Sequence, residues 1–166
     1  MKRLAAMLPA LILLSSASIA VAASADDTAF ATKAAQAGNA EVAEGEMAKT
    51  KATDPRVKEF AATMVKDHSA AGNELKDAAS KAGITLPAGV SVEEKAAAER
   101  LGTFSGAEFD RNYMALMVKD HKEAVELFQK EAKTGEDARL KAFAEKTLPT
   151  IQMHLEMAER LVRDAK

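Results

Sequence analysis

Asp54-Pro55-Arg56-Val57-Lys58-Glu59-Phe60-Ala61 returns later in the chain as Asp137-Ala138-Arg139-Leu140-Lys141-Ala142-Phe143-Ala144, with Asp, Arg, Lys, Phe and Ala at matching positions. Each copy starts with an aspartate, a residue whose short carboxylate caps the first free N–H groups of a helix. Pro55 in the first copy stands at the first helical position, where its missing N–H costs nothing. The two stretches therefore open two equivalent helices. Working outward, the apolar and glycine pattern predicts helix A over Asp27–Lys51 and helix B from Asp54 to Ala82, stopped by Gly83. Helix C spans Ala107–Lys133 and ends at Gly135, and helix D runs from Asp137 to the C-terminus with Pro149 inside it. That proline removes a backbone donor and predicts a kink.

Between Gly83 and Ser105 lies a long connector, broken at Leu86-Pro87-Ala88-Gly89. Within it Ser91-Val92-Glu93-Glu94 has the capping-box pattern, which predicts a short helix over Val92–Leu101. Two equivalent helical hairpins, A–B and C–D, joined by such a connector describe an all-α, ferritin-like four-helix bundle with a B-to-C crossover. A connector that doubles back would instead give a simple up-and-down bundle. The domain so expected covers residues 27–165. Composition agrees: 48% of residues are hydrophobic, many of them alanine, and only 4% are aromatic. Small side chains suit closely packed helices, and the β-branched and aromatic residues that strands favour are scarce.

The first residues read as an export signal. Lys2 and Arg3 precede an apolar run from Leu4 to Leu14, and small residues follow, with cleavage expected after Ala23 or Ala25. Residues 1–23 are thus a signal peptide, and the mature protein is periplasmic or secreted. The alternative is a membrane anchor, because Leu4 to Ala23 approaches the length of a bilayer span. With no cysteine, disulfides, thiolate metal sites and thiol catalysis are excluded. A formal charge of −2 without a basic cluster argues against nucleic acid as a partner. A homo-oligomer stays open.

A second repeat points to a site. Met64-Val65-Lys66-Asp67-His68 recurs as Met117-Val118-Lys119-Asp120-His121, and these two histidines with His154 are the three in the chain. At about 1.5 Å rise per residue, His68 and His121 each lie roughly 21 Å from a helix corner, Glu41 roughly 20 Å and His154 roughly 25 Å. One candidate per helix thus reaches mid-bundle. Each histidine shares a helical stripe with apolar residues, and Gly38 and Gly45 leave space beside Glu41. Glu41, His68, His121 and His154 form a ligand set suited to zinc or iron, with copper less favoured. Asp67, Asp120 and Tyr113 are candidate orienting partners. Met47, Met64, Met114, Met117, Met153 and Met157 recur at helical spacing and read as core filler. The competing interpretation is a non-catalytic structural or interaction module of the cell envelope, its histidines hydrogen-bonded in a core layer.

Enzyme signatures are missing. A di-iron carboxylate centre of ferritin type needs Glu three residues before a ligating histidine, and Val65, Val118 and Ile151 stand there instead. No glycine-rich phosphate loop, nucleophile elbow or His-Glu-x-x-His pattern occurs.

These residues carry a resemblance. Ala40-Glu41-Val42, Val57-Lys58-x-Phe60-Ala61-x-x-Met64-Val65-x-Asp67-His68, Phe109-Asp110-x-x-Tyr113, Asp120-His121 and Leu140-Lys141-x-Phe143-Ala144-x-x-Thr147-Leu148-Pro149-x-x-x-x-His154 resemble the bacterial exported family catalogued as domain of unknown function 4142. The resemblance runs from about Phe30 to Leu161. It implies a ferritin-like helical bundle behind an N-terminal export segment and implies no particular activity. It marks Glu41, Asp67, His68, Asp110, Tyr113, His121, Pro149 and His154 as motif positions.

Overall fold

A computed structural model describes residues 23–164. The signal segment expected over residues 1–23 lies almost wholly outside the described residues. Five helices follow in order: α1 Ala25–Lys51, α2 Pro55–Lys81, α3 Val92–Gly102, α4 Gly106–Thr134 and α5 Ala138–Asp164. There is no strand among the described residues. The protein is all-α, as expected, and no described helix is long and apolar enough to cross a membrane.

The helix ends follow from their caps. Asp54 accepts from the Arg56 N–H, with Pro55 beginning α2, and Asp137 accepts from the Arg139 and Leu140 N–H groups at the start of α5. Ser91 and Glu94 close the expected capping box on α3. Gly83, at φ +75°, ends α2 in the left-handed region that a side chain disfavours. One start was placed late: Ser24 and Asp27 form a capping box, so α1 begins at Ala25 and not at Asp27. Of the two cleavage positions expected, that after Ala23 leaves this cap whole. Pro149 lies inside α5, which remains helical through it.

The long helices pack in a defined order. α1 runs along α2 and α4 along α5, while α2 also meets α5 and α1 also meets α4. α3 rests on α1 and α4. Aspartates lock the corners: Asp110 at the start of α4 accepts from the Thr53 and Asp54 N–H groups, at 2.9 Å each, and from the Thr53 hydroxyl. Asp27 at the start of α1 accepts from the Glu136 and Asp137 N–H groups at 3.0 and 3.1 Å. Each hairpin's opening helix thus caps the corner of the other hairpin. The same sequence offset separates Asp27 from Asp110, Asp54 from Asp137 and Phe60 from Phe143.

Two apolar clusters fill the interior. One holds Phe60, Met64, Phe109, Tyr113, Met114 and Met117, and the other Phe30, Leu75, Phe128, Leu140, Phe143 and Ile151. Along each long helix a polar residue stands between the two: Glu41, His68, His121 and His154. Of the methionines read as core filler, Met64, Met114 and Met117 are buried, whereas Met153 is 44% exposed.

Candidate metal centre

The three histidines arrive on three helices and meet. His68 comes from α2, His121 from α4 and His154 from α5. Their ring centroids are 5.2–5.6 Å apart. One ring nitrogen from each lies within 4.8 Å of those of the other two. His121 and His154 are fully buried, and His68 is nearly so, its side chain 10% exposed.

Each ring is held by one nitrogen. His68 donates from Nδ1 to Glu41 Oε2 at 2.9 Å. His121 donates from Nδ1 to the Met117 carbonyl at 2.9 Å, one helical turn back. His154 donates from Nε2 to Asp67 Oδ2 at 3.1 Å, a bond that joins α5 to α2. The opposite nitrogens, His68 Nε2, His121 Nε2 and His154 Nδ1, are buried and have no hydrogen-bond partner. Since an acceptor fixes the proton on one nitrogen of a neutral imidazole, the other presents its lone pair. Three clustered histidines, each with one ring nitrogen tied and the other buried without a partner, offer the donor set of a three-histidine metal site.

Electrostatics favour the neutral ring for His121 and His154. Burial pushes His121 below its ordinary value, with His68 adding to the effect and Glu41 opposing it. Burial, followed by the charge of His68, lowers His154 to about 4. Both rings are therefore neutral near pH 7. Burial also lowers His68, but the charge and hydrogen bond of Glu41 outweigh it and hold His68 above its ordinary value. Glu41 itself is raised by burial and brought below its ordinary value by His68, then His121 and His154. Glu41 and His68 thus offset each other's burial.

The sequence had grouped Glu41 with the histidines as a ligand. In the fold its Oε2 accepts from His68 Nδ1 at 2.9 Å, and its Oε1, 3.5 Å from His121 Nδ1, is buried without a hydrogen-bond partner. Asp67 Oδ2 accepts from His154 Nε2 at 3.1 Å. Asp120 pairs with Lys119 at 3.2 Å. Tyr113 is fully buried, stacked on Phe109 and edge-on to Phe60, and its hydroxyl has no hydrogen-bond partner. Sequence reasoning passed over Glu44. It is 1% exposed, its Oε2 has no partner, and burial, then Asp120, Glu41 and Glu94, raise its pKa to about 8. The signal was available: Glu44 follows Glu41 by three residues and so shares its helix face.

Comparison with known families settles membership. The family described as "Domain of unknown function (DUF4142)" matches residues 14–161, most of the chain. The protein belongs to the DUF4142 family. Among solved structures, this DUF4142 chain resembles a DUF305 fragment from Deinococcus radiodurans with a TM-score of 0.76 and 13% identity. That match covers 87% of this chain and 99% of that one. It also resembles CopM in its Cu(II)-bound form, with a TM-score of 0.70 and 19% identity over 84% of this chain and 97% of the other. CopM in a silver-bound form matches with a TM-score of 0.67 and 18% identity, covering 83% and 96%. At these identities the likeness shows a shared fold. No curated protein matches the chain.

Proposed function

We propose that this DUF4142 protein is an exported metal-binding protein in which His68, His121 and His154 hold one transition-metal ion. The observation that carries this reading is the set of three buried ring nitrogens without partners, each on a ring anchored through its other nitrogen. A hydrogen-bonded histidine layer would satisfy both sides of every ring; here one side of each is left over, at a desolvation cost that a metal ion removes. Glu41 and Asp67 act as orienting carboxylates, fixing ring rotation and strengthening the imidazoles as donors. Neutral imidazoles suit zinc, copper or iron. The fold shared with CopM, a protein crystallised with Cu(II) and with silver, gives copper more weight than sequence alone did.

The scaffold we assign is ferritin-like. Contacts of α2 with α5 and α1 with α4 fit a crossover between hairpins, where an up-and-down bundle would set α2 beside α4. Export rests on the Lys2-Arg3 start and the apolar run of the N-terminal segment. A soluble envelope protein with this centre would bind, buffer or store metal, and so protect against metal or oxidative stress.

Elemental analysis of untagged mature protein tests the site, beside a His68→Ala/His121→Ala double variant. About one metal ion per chain in the parent, absent from the variant, is expected, with thermal stability raised by metal and lowered by chelator. If the parent binds no metal after incubation with zinc, copper and iron salts, the reading fails and the histidines are core architecture.

A further inference from the structure

A cleft of about 1510 Å³ lies between the long helices and the connector–α3 segment, and its wall includes both Glu41 and His68. Asn39 of α1 donates to the Gly89 carbonyl and Lys51 to that of Gly102, which ties the covering segment to α1 at both ends. Glu44, Glu94, Lys119 and Asp120 also line the cleft. Lys33, Lys76 and Arg100 line it too, and Lys119 is paired with Asp120 and with Glu123, at 3.2 and 3.0 Å. His121 and His154 do not border the cleft, which leaves His68 as the centre's histidine on that side. Glu44 is 1% exposed, with Oε2 buried and without a partner, in the same lining as His68. A buried carboxyl oxygen without a bond is costly to keep.

We infer that Glu44 is the entry carboxylate of the metal centre, taking a divalent cation from the cleft and passing it to the histidines. This rests on the metal-binding reading above. When a cation meets Glu44, the carboxyl releases its proton to water in the cleft and binds the ion through the freed oxygens. The ion then exchanges onto the imidazoles, which bind borderline cations better than a single carboxylate does, and Glu44 recovers a proton. Glu44 is a transit group here. It is not part of the resident ligand set.

The test follows zinc transfer from a chromophoric chelator to the metal-free full protein by stopped flow. Glu44→Gln keeps the shape of the protonated side chain and lacks an ionisable oxygen, so it should fold as the parent does. It is expected to load at least tenfold more slowly than the parent and to reach the parent's zinc content late. Glu74→Gln, a carboxylate outside the cleft, should load at the parent's rate. Equal rates for Glu44→Gln and the parent overturn the proposal. So does equal slowing by Glu44→Gln and Glu74→Gln, which would mean general attraction by the protein's field. Loss of zinc at equilibrium in Glu44→Gln would make Glu44 a resident ligand and also overturn it. Failure of the parent itself to take up zinc, copper or iron is a different result, because it removes the metal centre together with its entry.

Discussion

In the proposed centre, Asp67 would serve a histidine from another helix without touching a metal. It neighbours His68 in sequence, yet its bond goes to His154 on another helix. Consecutive residues on a helix point about 100° apart, so a residue beside a ligand is placed to serve a different ring. Asp67→Ala frees the His154 ring to rotate and removes the acceptor that fixes its tautomer. Metal affinity should then fall about 10–100-fold with about one site per chain retained, as read by competition with a chelator of known affinity. An unchanged affinity would show that packing alone holds His154. The partner of Asp67 could not be read from the sequence, since it depends on the rotation of α5 against α2. For Glu44 the spacing from Glu41 gives its face, but an exposed glutamate and a buried one have the same letter, so its depth is not legible.

At the scale of the helices, the α1–α2 seam sets the distance between Glu41 and His68. Gly45 lets the two backbones approach: a Cβ there would lie 2.8 Å from Val65 Cγ2 and 3.2 Å from the Ala61 carbonyl oxygen. Valine is stiff at χ1 and a helix carbonyl cannot withdraw, so the helices must part. Gly45→Ala gains about 1 kcal/mol in helix propensity. Overpacking costs about 1–3 kcal/mol, so a net loss of about 1 kcal/mol is expected in urea unfolding, with weaker metal binding as the Glu41–His68 bond lengthens. A stabilised variant would mean that the seam has slack. Sequence patterning placed all five helices because capping residues and glycines act locally. It set α1 late because Ser24-Ala25-Asp26-Asp27 serves two readings, a cleavage region and a capping box.

Over the whole molecule, burial of carboxyls makes stability depend on pH. Glu44, raised to about 8 from an ordinary 4.5, keeps its proton in the folded state where the unfolded chain has lost it. Its contribution is full below pH 4.5 and is lost as pH rises towards 8. Glu131, raised to about 7 by burial and then by Asp27, acts in the same direction. His154 acts the other way: its contribution is present above pH 6.5 and lost as pH falls towards 4. The profile of the parent is therefore a balance, and the difference between parent and variant isolates Glu44. Between pH 4.5 and 8 the metal-free parent should lose stability relative to Glu44→Gln by on the order of a few kcal/mol, measured as urea midpoints across pH. A constant difference would mean that Glu44 ionises normally in the fold.

The sequence by itself determined the helices, their caps, the pairing of two hairpins and the presence of one polar residue at mid-depth on each long helix. Those follow from periodicity, rise per residue and the chemistry of single side chains, all of which act within a few turns. Tertiary structure alone decided which nitrogen of each histidine is tied and which is free, that Glu41 bonds His68, and that Glu44 is buried beside a cleft. Each of these depends on how far one helix is rotated and shifted against another. That geometry is set by the summed packing of two apolar clusters and by the corner locks of Asp27 and Asp110. No local pattern carries it.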